Sequence, residues 1–179
     1  MLRLAVFATV CFGSLANAAN INADPSDYLV KFKQLQAGDV LRLAPGQYAG
    51  GLPVHGLLGT AEQPIVIRGS GPGKTRLLAK SQRNTISIVD SAHVTIRDLM
   101  LDGLGLAADA VRAEGNARWA HHISLENLLI VNHGANQGYV VFPPNALPGT
   151  GQFAAIVSLV PARACIWAIR MVVRHSSPA

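Results

Sequence analysis

His93-Val94-Thr95-Ile96-Arg97-Asp98-Leu99-Met100-Leu101 and His122-Ile123-Ser124-Leu125-Glu126-Asn127-Leu128-Leu129-Ile130 are two versions of one pattern, set 29 residues apart. His93, Val94, Thr95, Ile96, Asp98, Leu99 and Leu101 match His122, Ile123, Ser124, Leu125, Asn127, Leu128 and Ile130 in chemical type. Pro64-Ile65-Val66-Ile67-Arg68 fits the same step upstream. Alternation of apolar and polar residues over short runs is the signature of half-buried strands. A fixed step of this size, without long helices, indicates a solenoid. One coil cannot bury its apolar row alone, and stacking makes the core continuous. A β-sandwich would also give short strands but has no reason to keep the step. The expected fold is all-β: a right-handed parallel β-helix, incomplete, with a short N-terminal capping α-helix.

Working outward, Val40-Leu41-Arg42-Leu43 and Ile86-Ser87-Ile88-Val89 are further short β-rich runs, punctuated by Pro45-Gly46, Gly69, Gly71, Pro72 and Gly73. Upstream, Asp24-Pro25-Ser26-Asp27 reads as a helix start, because Asp or Ser can accept the free N–H groups of a first turn. Tyr28, Leu29, Phe32 and Leu35 follow at helical spacing and Gly38 can end the helix. Such a helix suits a lid over the first coil, which would otherwise expose the end of the core. The segments expected are a signal peptide at 1–18, an N-terminal cap helix at 19–38, β-helix coils over 39–141 and an anomalous tail at 142–179 that is not part of the fold.

The leader consists of Arg3, an apolar run from Leu4 to Leu15, and Ala16-Asn17-Ala18 at the cleavage position. It is too short for a bilayer span, which needs about 20 apolar residues. The chain is therefore expected to be secreted or periplasmic, with no membrane span after cleavage. The net charge of +5 falls to +1 once Arg3 of the leader and Arg163, Arg170 and Arg174 of the tail are set aside. A nearly neutral folded part argues against nucleic acid as a partner. Cys11 lies in the leader and Cys165 in the tail, so no disulfide within the processed chain is expected and burial must hold the fold.

Leu35-Gln36-Ala37-Gly38-Asp39-Val40-Leu41-Arg42-Leu43-Ala44-Pro45-Gly46-Gln47-Tyr48 resembles the opening of right-handed β-helix proteins of the pectin-lyase-like superfamily. Gly59-Thr60-Ala61-Glu62-Gln63-Pro64-Ile65-Val66-Ile67-Arg68-Gly69 resembles their next coil. Val94-Thr95-Ile96-Arg97-Asp98-Leu99, followed by Asp102-Gly103, resembles a later one. The resemblance covers residues 28–141. It implies the fold well and the activity poorly, since the superfamily holds lyases, hydrolases, epimerases and non-catalytic surface proteins. Lyases of this kind remove the proton beside a uronate carboxylate and expel the glycosidic oxygen, using a Lys or Arg base and often Ca²⁺. The resemblance thus implies the N-terminal part of an exported lyase of uronate-containing polysaccharide, with acidic polysaccharide as its partner and Ca²⁺ in a full-length homologue. The alternatives are a non-catalytic β-helix surface or carbohydrate-binding protein and a membrane-tethered domain. The resemblance implies that catalytic residues usually come from central coils, which would lie beyond residue 141. None is carried over, and the chain as it stands is expected to be inactive.

Site candidates within the chain are few. Asn132 and His133 follow a strand and are candidate substrate-facing residues, against the plainer reading of a turn with a solvated His. Asp98 and Asn127 occupy matching positions one coil apart, as a groove pair or as turn caps. Asp102 and Asp109, beside Gly103 and Gly105, read as loop residues. Lys74, Lys80 and Arg83 read as a solvated edge. His121 and His122 are neighbours on a strand, so alternation sends them to opposite faces and no shared metal is expected. Gly69-Ser70-Gly71-Pro72-Gly73-Lys74-Thr75 lacks the spacing of a phosphate loop. No cofactor or metal ligand set is identified.

The pattern stops after Val141. Phe142-Pro143-Pro144-Asn145-Ala146-Leu147-Pro148 has no strand rhythm. Phe153 to Val173 is apolar but includes Arg163 and Arg170, each costing roughly 2.5–3.5 kcal/mol near a bilayer centre, so an anchor fits badly. The expected cause of the break is one base lost near Val141. Restoring one G after the codon for Val140 permits a tail containing WTIRGNRIV, which repeats the form of Val94-Thr95-Ile96-Arg97. Without that continuation, the last coil would present an open apolar end prone to association. Sequencing the gene is expected to reveal this second open frame downstream of Val140; DNA that encodes the tail with no such frame contradicts the expectation.

Overall fold

A computed structural model describes residues 18–114, 120–133, 140–141, 154–155, 160–162 and 166–174. Residues 1–17, on which most of the expected signal peptide falls, and most of the 142–179 segment lie outside the described residues. The elements run β1 (Asn20–Ala23), α1 (Tyr28–Phe32), β2 (Val40–Leu43), β3 (Gly46–Tyr48), β4 (Leu52–His55), β5 (Ile65–Arg68) and β6 (Thr75–Leu78). They continue with β7 (Ile86–Val89), β8 (Ala92–Asp102), β9 (Val111–Glu114), β10 (His121–Val131) and β11 (Val140–Val141). Three further strands, β12 (Ala154–Ala155), β13 (Val160–Ala162) and β14 (Ile166–Arg174), come from the last segment.

The strands stack as the sequence step requires. Ile65 pairs with Val94 and Val94 with Ile123, both parallel and both at the 29-residue offset. One sheet follows the order β1-β2-β5-β8-β10, with β3 and β6 joining along the far half of β8. A second parallel sheet follows the order β4-β7-β9-β11. The chain is a right-handed parallel β-helix, the hand that parallel crossovers almost always take.

The core is a set of ladders, one rung per coil. Leu41, Ile67, Ile96 and Leu125 are successive register partners and all are fully buried. Leu52, Ile86 and Val111 form the equivalent ladder on the second sheet, beside Val54, Ile88 and Ala113. Each such aliphatic side chain gains about 1.5–3 kcal/mol by leaving water. Branched residues dominate because they suit a pleated, buried surface.

The first coil is closed by α1, which is shorter than the helical spacing suggests: five residues, ending at Phe32. The chain then turns back, because the Asp39 carboxylate accepts the backbone N–H groups of Gln36 and Ala19 at 2.8 and 2.9 Å. Tyr28, Phe32 and Leu35 are nevertheless buried as the spacing requires. The Tyr28 hydroxyl donates to Gly51 O at 3.0 Å, and its ring packs edge-on to Tyr48 at 4.9 Å. Gly50 has no alternative, since a Cβ there would sit 2.4 Å from the Tyr28 hydroxyl. Before the helix, 20–23 form a strand that the sequence reading had within the cap segment.

At the other end, β14 pairs with β10, but antiparallel. The segment that breaks the sequence pattern therefore meets the last coil with its direction reversed. Among the described residues, no helix is long and apolar enough to cross a membrane.

Candidate functional site

Three corners of the coil bring polar side chains together, and each is built on residues with positive φ. Asp98 (φ 61°) and Asn127 (φ 47°) turn the long strands β8 and β10 with a single left-handed residue. Asp and Asn tolerate this conformation better than other side chains. The Asn127 amide donates to Asp98 Oδ1 at 2.8 Å, so the two stack across coils. Gly69 occupies the same corner one coil earlier, where a Cβ would lie 2.3 Å from Asp98 O.

The second corner holds Asp102, Asn132 and His133. Asp102 is the last residue of β8 and is 1% exposed, which corrects its reading as a loop residue. Its carboxylate pairs with the Arg76 guanidinium and accepts the Leu104 N–H at 2.9 Å and the Asn132 amide at 3.2 Å. Asp109 does lie between strands, 3.4 Å from Arg112 Nη1. His133 Nδ1 is 2.9 Å from Ala108 O; since a carbonyl only accepts, Nδ1 carries the proton. Asn132 and His133 are thus adjacent, tied into the turn by their own side chains, with Asn132 exposed and His133 half-buried.

The third corner overturns an expectation. His121 and His122 do not face opposite sides of their strand. His122 has φ 52°, which breaks the alternation and brings both rings together. His93, one coil earlier, has the same φ of 52° and stacks on His122 with centroids 4.4 Å apart and planes 9° from parallel. His121 stands edge-on to both rings, at 5.6 and 5.0 Å. Its Nδ1 is 2.7 Å from His122 Nδ1. One ring nitrogen from each of the three lies within 4.8 Å of the others, and all three residues are half-buried.

A further feature was hidden by the near-zero net charge. Arg42, Arg68 and Arg97 are successive register partners on the outer face of the first sheet, followed by Glu126. The signal was present in the repeat, where Arg68 and Arg97 occupy matching positions 29 residues apart. Arg42 donates from Nε and Nη2 to Asn20 Oδ1, at 3.2 and 3.0 Å. Arg97 Nε is 3.6 Å from Asp98 Oδ2. Lys74, Lys80 and Arg83 are exposed.

This is a parallel β-helix of the pectate-lyase-like architecture. Among solved structures, it is similar to the PL6 family alginate lyase AlyGC, at 22% identity and a TM-score of 0.53, over 64% of this chain and 16% of that one. It is also similar to a mannuronic acid specific family 6 polysaccharide lyase from human gut microbiota, at 21% identity and a TM-score of 0.51, over 64% of this chain and 26% of that one. At such identities the likeness is one of fold. The chain spans between about a sixth and a quarter of those enzymes. No family model and no curated protein matches it.

Calcium, which the family resemblance implies for full-length relatives, takes about six to eight oxygen ligands. The described residues do not fit it. Asp102 is committed to Arg76, Asn132 and Leu104, Asp98 to Asn127, and the metal-ligating side chains that converge are imidazoles. No calcium chemistry is derived from them.

Asp102 makes a pH-dependent contribution to the fold. Burial alone would raise its carboxyl, but the Leu104 N–H, the Arg76 guanidinium and the Asn132 amide outweigh it and hold the group below its ordinary value of 3.8. The folded state therefore gains from this group above pH 3.8 and loses that gain as pH falls through the lower folded value. Asp102→Ala leaves Arg76 without its buried partner. Because Arg76 is itself a third exposed, the cost is expected at the lower end of the range for broken buried pairs, about 3 kcal/mol. Urea unfolding at pH 7 and at pH 3 measures it; the difference between variant and parent should shrink at the lower pH.

Proposed function

We propose that this chain is the N-terminal part of an exported polysaccharide-active β-helix protein whose complete form is a lyase of uronate-containing polysaccharide. The observation that carries this reading is the ladder Arg42-Arg68-Arg97, one guanidinium per coil, on a fold shared with alginate lyases. Coil spacing is about 4.8 Å, a length scale comparable to one sugar ring. A stretched polyuronate offers one carboxylate per ring. Guanidinium groups bind carboxylates through paired, charge-assisted hydrogen bonds. Polymer laid along the helix axis would thus meet successive arginines.

The elimination itself needs more than this ladder supplies. A base must take the proton beside the carboxylate, and positive charge must stabilise the enolate-like transition state before the glycosidic oxygen departs. Asn132 and His133 hold a turn on the coil and remain candidate substrate-facing residues; no catalytic role is given to them. The proposal is that this chain contributes binding and that turnover requires later coils. The alternative reading, a carbohydrate-binding protein without catalysis, uses the same ladder.

Affinity electrophoresis of the full chain through polyuronate-containing gel tests the binding claim. Retention is expected on alginate or pectate and not on a neutral glucan, falling with added salt. Arg68→Ala should weaken retention roughly fivefold, the equivalent of about 1 kcal/mol. Equal retention on the neutral glucan, or no effect of Arg68→Ala, would contradict it. With the frame restored, release of unsaturated uronate supports the lyase; binding without release supports the alternative.

A further inference from the structure

We propose that His93, His121 and His122 form a binding site for a late first-row divalent metal ion, zinc foremost. This does not rest on the polysaccharide reading. Three imidazoles from two successive coils converge, each offering one ligand nitrogen. Imidazole suits zinc, copper and nickel, whereas calcium and magnesium prefer oxygen.

The distances fit a modest adjustment. Tetrahedral zinc with Zn–N near 2.0–2.1 Å holds its nitrogens roughly 3.4 Å apart. In the structure one pair, the Nδ1 atoms of His121 and His122, is closer than this at 2.7 Å, and all three ligand nitrogens lie within 4.8 Å of one another. Side-chain rotation alone can cover these differences. The close pair carries its own chemical argument. Two ring nitrogens at that distance can share one proton, with one donating and the other accepting, or they can share one metal ion with both lone pairs pointing at it.

The backbone under the trio is held firmly. His122 and His93 share the same left-handed φ, so their rings emerge in the same direction one coil apart. Gly59 lies against the His93 carbonyl, where a Cβ would come within 2.5 Å. The Gly59 N–H donates to Ala92 O and the Ala92 N–H to Leu57 O, both at 2.9 Å. The His121 N–H donates to Ser91 O at 3.1 Å. Ser91 is buried, and its hydroxyl bonds Val54 O and Val89 O while accepting the Leu57 N–H. A ligand set on such a corner needs little reordering when metal arrives, which lowers the entropic cost of binding. With three protein ligands, a tetrahedral ion keeps one position for water or another small donor.

The test uses the full chain, titrated with zinc chloride by calorimetry, with side-chain nitrogen NMR of the histidines recorded alongside. One zinc per chain is expected. The resonances of His93, His121 and His122 should move while those of His55 and His133 stay, and a chelator should reverse the change. His93→Gln and His121→Gln should each weaken binding by at least about tenfold, and His55→Gln should leave it unchanged. Should the variants lose their far-ultraviolet circular dichroism, the ring resonances of the unaltered chain decide. Absence of stoichiometric binding, perturbation spread equally over His55 and His133, or full affinity in a folded His93→Gln overturns the proposal. None of these outcomes depends on polyuronate retention, so the two readings fail separately.

Discussion

Everything in this molecule depends on one constraint: each coil must place its apolar row directly under the row of the next. Leu41, Ile67, Ile96 and Leu125 satisfy it along one sheet, and Leu52, Ile86 and Val111 along the other. Parallel register and side-chain burial are therefore the same event. A shift of one residue would carry every inward side chain to the outer face and every outward polar group into the core. The two ends of the stack are where the rule has to be closed off. Helix α1 covers the first coil with Tyr28, Phe32 and Leu35. At the last coil, β14 meets β10 with reversed direction, which ends the repetition that built the rest.

The same repetition fixes where polar chemistry can gather. Inward positions are taken by the ladders, so polar groups collect on outer faces and at corners. A corner that turns on a single left-handed residue repeats at the same place in the next coil. Asp98 over Asn127, and His93 over His122, are two products of that rule. On the flat outer face it aligns Arg42, Arg68 and Arg97. Each arrangement puts like or complementary groups one coil apart, which is the spacing at which a polymer or a metal ion can bridge them.

Much of this was legible in the sequence, and the gaps have physical causes. The 29-residue step predicted the partners of β5, β8 and β10, because alternation is strong where one face is fully buried. Strands β1, β3, β4, β6 and β9 were not distinguished: each is three or four residues long, and Asn, Gly, Pro or charged residues within or beside it dilute the apolar pattern that revealed β2, β5 and β7. The helical spacing found the buried faces of Tyr28, Phe32 and Leu35, but not the early end of the helix, which depends on Asp39 reaching back to Gln36. Strict alternation put His121 and His122 on opposite faces, and the left-handed φ of His122 defeats it. Net charge concealed the arginine ladder because it counts charges without placing them. Catalytic residues were not legible, because a likeness of fold over about a sixth to a quarter of the alginate lyases' length carries no side-chain roles.

The register itself is open to direct measurement. A nuclear Overhauser spectrum of the isotope-labelled full chain should show the parallel pattern, with backbone contacts from Ile67 to Ile96 and from Ile96 to Leu125 running in the same direction along both strands. Short contacts between α-protons of these runs, as in antiparallel pairs whose Cα atoms come within about 4.5 Å, would contradict the coil stack and everything drawn from it.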